Sequence, residues 1–184
     1  MEQEWNTIIE LRKQTWELHY NYWLTETLFS FNWWLLLTTT FLFFIIWIFV
    51  LDKSRLLEIM TYGLLVSTIA FILDLIGITM VLWSYPDRLT PLMAPILEIH
   101  KMHMPVIFMI IYQYFHSWRS FITVMTLTSG IFAFALEPLL IWLQIYEIHN
   151  WRYIYSFPLY IIIGVFLKWL IGKLKSVESK HKLL

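Results

Sequence analysis

From Leu28 to Leu51 the chain runs without a single charged residue, through Trp33-Trp34-Leu-Leu-Leu and the nearly unbroken apolar stretch Phe41 to Val50, and it stops at Asp52-Lys53-Ser54-Arg55. About 20 apolar residues at 1.5 Å each cross roughly 30 Å of hydrocarbon, so this run alone can span a bilayer as a helix. Similar runs follow at 56–83 with Asp74 inside, at 121–146 with Glu137-Pro138 inside, and at 154–174 with Lys168 near the end. A further stretch, 91–116, is less regular. Its clean part, Met104 to Tyr114, is half long enough, and the residues before it include Pro95, Glu98, His100, Lys101, His103 and Pro105. A straight helix and a kinked or partly re-entrant segment are both open there.

Composition points the same way. Of the residues 59% are hydrophobic and 14% charged, against about 25% charged in soluble domains, too few to wet the surface of a folded body while hiding 11 Trp, 14 Phe and 10 Tyr. The absence of Cys excludes a disulfide scaffold, and 13 basic residues balanced by 13 acidic ones exclude a nucleic-acid binder that relies on net positive charge. The expected fold is all-α: an integral membrane helical bundle of about five transmembrane helices forming one domain over 1–184.

An interfacial amphipathic helix is expected over 1–27. There Trp5, Ile8, Ile9, Leu11, Trp16, Leu18 and Trp23 alternate with charges at loosely helical spacing. Glu2, Glu4 and Glu10 stand where a signal peptide has basic residues, so the segment is read as part of the fold. Lys and Arg gather at alternate ends of the five runs, at Lys53 and Arg55, at Arg119, and in a basic tail over 175–184 that follows Lys173. This predicts the N-terminus outside and the C-terminus inside, with anionic lipid attracted to the tail and no nucleic acid. A second copy or another membrane protein as partner stays open.

Ionisable groups inside the spans are the functional candidates, because each is expensive to hold in lipid. Asp74 lies nine residues before Trp83, Glu137 nine before Tyr146 and His100 nine after Pro91, roughly 13 Å below one end of each helix. Gly63, Ser67, Ala70, Asp74 and Gly77 form a small-residue stripe that turns Asp74 into the bundle. Thr126, Gly130, Glu137 and Gln144 form a polar stripe, and His100 with His103 share a face if helical. Asp74, His100, His103, Glu137 and Gln144 thus make a polar cluster in the outer half of the bilayer, suited to a proton, ion or solute. The same Asp74, His100, His103 and Glu137 have the chemistry of a Zn, Fe or Mn site. Glu147, His149 and Arg152 form an outer-loop cluster, and Lys168 is expected to snorkel to the headgroups.

At Asp74-Leu-Ile-Gly77, Trp83-Ser-Tyr-Pro86, Gln113-Tyr-Phe115, Glu137-Pro-Leu139 and Trp151-Arg-Tyr-Ile-Tyr-Ser-Phe-Pro158 the chain resembles an uncharacterised family of small polytopic membrane proteins of spore-forming Firmicutes. The resemblance implies a bacterial cytoplasmic or spore membrane and a helical bundle, and supplies no catalytic residue. The residues themselves favour transport, sensing or a structural, partner-binding role around the polar cluster. A membrane-embedded metal-dependent enzyme acting on a lipid or isoprenoid is the alternative.

Overall fold

The computed structural model describes residues 2–92 and 102–181. Its elements are α1 (Glu2–Tyr22), a π-helical turn (Trp23–Thr27), α2 (Phe31–Val50), a 3-10 turn (Lys53–Arg55), α3 (Leu56–Thr79), β1 (Trp83–Ser84), α4 (His103–Tyr114), α5 (Trp118–Ile131), a second π-helical turn (Phe132–Leu136), α6 (Glu137–Trp142), β2 (Glu147–Ile148) and α7 (Tyr153–His181). Four helical stretches are long and apolar enough to cross a membrane: Phe31–Val50, Lys53–Thr79, Trp118–Trp142 and Tyr153–His181.

The irregular stretch 91–116 resolves differently from a full span. Pro91 and Leu92 are not helical, and α4 has 12 residues, about 18 Å of helix. Pro95, Glu98, His100 and Lys101 lie outside the described residues. The chain nonetheless travels the whole bundle here. Trp33, near the start of α2, donates its indole N–H to the Leu89 carbonyl (3.2 Å), and Gln113 donates to the carbonyl of Val50, the last residue of α2 (2.6 Å). Leu89 therefore lies beside the start of α2 and Gln113 beside its end, so the two flank opposite ends of that helix.

Helices α3, α4, α5 and α7 close into a ring, with α3 against α4 and α7, and α5 against α4 and α7. The stripe Ile59, Tyr62, Val66 and Ala70 of α3 meets Phe108, Ile111 and Tyr112 of α4, and Tyr160, Ile163, Leu167 and Ile171 of α7. Small residues permit the close approach that membrane helices use in place of a hydrophobic drive. The Met109 side chain occupies the place a Cβ would take at Gly63, and the Gly164 carbonyl accepts from the Tyr62 hydroxyl (3.1 Å). Helix α2 lies outside the ring against α4, and Leu36 is its one buried residue.

Several expectations are corrected. Helix α3 ends at Thr79 rather than running to Trp83. Helix α7 continues to His181, so residues 175–181 of the basic tail are helical and exposed. Lys168 does not snorkel: its ammonium donates to the Phe115 and His116 carbonyls (2.7 and 3.0 Å) and lies 4.0 Å from the Phe121 ring centroid. A buried lysine needs acceptors, and the carbonyls left over at the end of α4 provide them. Helix α1 ends at Tyr22, the π-helical turn carries the helical segment on to Thr27, and α1 buries none of its residues.

Candidate functional site

Helices α3 and α6 end alike. After α3, Val81 takes a left-handed conformation (φ 53°) and the Leu82 amide donates back to the Gly77 carbonyl (2.8 Å). After α6, Gln144 does the same (φ 60°) and the Ile145 amide donates to the Leu140 carbonyl (3.0 Å). Each is a Schellman-type stop that is usually built on Gly. Both turn the chain back over its own helix, and the strands that follow pair, Trp83 opposite Ile148 and Ser84 opposite Glu147.

That return folds polar side chains onto the acids. Asp74, 5% exposed, accepts from the Trp83 indole N–H (2.9 Å) and the Tyr85 hydroxyl (2.7 Å) on one oxygen. A Cβ at Gly77 would collide with that indole, so the glycine is what lets Trp83 reach inward. Trp83 and Tyr85 are therefore the hydrogen-bond donors that hold the carboxylate.

Glu137, 2% exposed, reaches the interior because of the π turn before it. Phe121, Met125 and Ser129 are the buried line of α5. A straight α-helix would carry Glu137 roughly 160° round from Phe121 at 100° per residue. The wider i→i+5 turn over Phe132–Leu136 removes part of that rotation. Pro138 gives the local reason, since a proline has no N–H and its ring clashes with the carbonyl four residues back, here that of Phe134. Glu137 then accepts from the Tyr160 hydroxyl (2.7 Å) and the Ser156 hydroxyl (3.2 Å), and Ser156 in turn accepts from the Trp151 indole (3.1 Å).

The two acids stand at one level, each five residues before the end of its helix, Thr79 and Trp142. This is about 8 Å deep, shallower than counting to Trp83 and Tyr146 implied. They border adjoining cavities. One, of about 60 Å³, is lined by Asp74, Trp83, Tyr85, Tyr146, Ser156 and Tyr160, so the donors of Glu137 form part of the Asp74 wall. The other, of about 240 Å³, lies between α2, α4, α6 and α7, and has Glu137, His103, Thr39 and Tyr160 as its polar members among apolar side chains. Met104 and Tyr160 belong to both walls. Tyr146 lines the smaller cavity beside Asp74, Ser156 and Tyr160.

The other candidates divide. His103 begins α4, lines the larger cavity and meets Phe43 edge-on at 4.6 Å. His100 lies outside the described residues. Gln144 is exposed in its turn, and Thr126 and Gly130 are only half-buried, so the expected polar stripe is not the inward face. Glu147 and His149 do converge, both on the Ser84 hydroxyl (3.2 and 2.9 Å), whereas Arg152 is exposed and caps α7 by accepting the Tyr155 amide (2.8 Å). Among the described residues no three His, Asp or Glu side chains come together as a metal would require. Two partners escaped the sequence reading: Ser156 and Tyr160, whose i,i+4 spacing on α7 was the available signal.

Comparison with family models, with curated proteins and with solved structures finds no match, so function is read from the site alone.

Proposed function

We propose that the chain is a bacterial membrane protein, N-terminus outside and C-terminus inside, that moves or senses a proton or small solute at the level of Asp74 and Glu137. The observation that carries this reading is Glu137. It is 2% exposed, walls a 240 Å³ cavity, and has hydroxyl donors from α7 with no Lys or Arg paired to it among the described residues. A buried carboxyl is costly to hold as a bare charge, so it exists as a neutral acid or against a cation, and exchange between the two is useful chemistry. Its position between Pro138 and a π turn favours a moving part over a purely structural one, because such turns lack the full i→i+4 ladder. A structural role would be served as well by an apolar residue, at lower cost.

Reconstitution in liposomes with an imposed pH gradient tests the reading. The wild-type protein dissipates the gradient faster than Glu137→Gln, which keeps an acceptor for Tyr160 and removes the exchangeable proton. Equal rates for wild type, variant and protein-free liposomes would contradict it.

A further inference from the structure

The larger cavity has a chemistry of its own. Its walls are Leu35, Leu36, Phe43, Ile107, Phe132 and Leu140 with their neighbours, and its acidic group is Glu137. Leu139, on the same wall, is 45% exposed, although α2 also meets the α6 end, Asn32 donating to the Leu143 carbonyl (2.7 Å) and Leu36 packing in one cluster with Leu140. At Leu139 the cavity wall therefore reaches the surface, and that flank is a lateral entrance from the side that faces lipid. Three aromatic side chains, Phe43, Phe132 and Tyr160, line the same cavity, and Tyr160 touches the acid. An apolar volume reached from the membrane selects a lipophilic guest. A carboxyl with no Lys or Arg paired to it among the described residues selects positive charge, and ring faces add attraction for a desolvated cation.

We infer that the cavity between α2, α4, α6 and α7 binds a small lipophilic cation, of the quaternary or tertiary ammonium class, in exchange for a proton on Glu137. This rests on the reading of Glu137 as an exchangeable acid and adds its substrate class. The exchange balances as written: the neutral acid loses its proton to water, and the carboxylate that remains pairs with the entering cation. No covalent bond to the cation forms. The groups that face the acid from neighbouring elements are Ser156 and Tyr160 of α7 and His103 of α4, with Asp74 of α3 across the adjoining cavity. Both hydroxyls donate to Glu137, an arrangement that holds the carboxylate once it forms.

Benzyltrimethylammonium and its uncharged carbon isostere neopentylbenzene have one shape and differ in charge, so they separate the cation claim from mere cavity filling. With the purified full chain in detergent, the cation binds saturably with release of about one proton in weakly buffered solution. It binds better than the isostere and about thirtyfold more weakly to Glu137→Gln, the scale of a desolvated cation against its acidic and aromatic partners. Thr39→Phe, which fills the cavity from α2 and leaves the acid in place, abolishes binding of both probes and guards against a folding defect in the first variant. Equal binding of cation and isostere, indifferent to Glu137→Gln, would overturn the cation class while leaving a solute-binding cavity. Binding of neither probe, together with liposome gradients that the protein does not dissipate, would overturn the class and the reading beneath it.

Discussion

Gly77 and Gly172 are both helical glycines, and they differ in what a methyl group would meet. At Gly77 it collides with the Trp83 indole that donates to Asp74, whereas at Gly172 nothing lies within 4 Å. Gly77→Ala should therefore destabilise the protein by about 1–3 kcal/mol through overpacking. Gly172→Ala should leave it unchanged or stabilise it by up to about 1 kcal/mol through helix propensity. Thermal unfolding of the two variants in one detergent checks the contrast, and similar shifts would mean that Trp83 is not wedged against α3. The inward burial of Asp74 was legible from the sequence, since Gly63, Ala70 and Gly77 on its face could only serve close packing. Its donors were not. Trp83 and Tyr85 reach it only because Val81 adopts a left-handed conformation, which β-branched residues rarely do, so no local signal announces the turn.

At the scale of elements, α1 is joined to the bundle by few bonds. Arg88 Nη2 lies 3.0 Å from His19 Nδ1, and the Trp23 indole donates to the Arg88 carbonyl (3.1 Å). Burial, and then the Arg88 charge, hold the His19 imidazole below its ordinary pKa of 6.5. The docked form thus binds fewer protons than the free one, and its stability must fall as acid is added. The contact is fully present above about pH 6.5 and weakens as pH drops below it, with Asp87, Glu26 and Glu147 the acidic groups nearby. Protection factors along α1, the intrinsic exchange rates divided by the observed rates at each pH, should fall between pH 7.5 and pH 5 in the wild type and stay flat in His19→Gln. An unchanged profile in the wild type would contradict the account. The long apolar helices were legible because a run of 20 carbon-rich residues admits few other structures. The π turn was not, since a period of 3.6 read through Pro138 put Thr126, Gly130 and Gln144 on the inward face instead of Phe121, Met125 and Ser129. The pairing of β1 with β2 joins strands of two residues each, too short to leave a pattern.

The whole molecule has two polar ends with the acids between them. At one end β1 and β2 gather Ser84, Glu147 and His149, and Asp87 accepts from Thr27 and Asn32 (3.2 and 2.6 Å). At the other, Glu58 accepts from Tyr112 and pairs with Arg55 and Lys175, and Gln113 bridges Val50 and Asp52. In the proposed topology these ends lie on opposite sides of a bilayer, so that an acid between them is reached from both sides in turn. The chain contains no Cys, so single thiols report without background. The decisive measurement places one Cys at Asn150, beside the sheet, or at Ser54, at the opposite end, and exposes intact cells to a membrane-impermeant thiol reagent. The account predicts labelling at Asn150→Cys, and protection at Ser54→Cys that permeabilisation removes. Labelling at both positions in intact cells would contradict the proposed five-pass bundle and the placing of Asp74 and Glu137 within the membrane between its two ends.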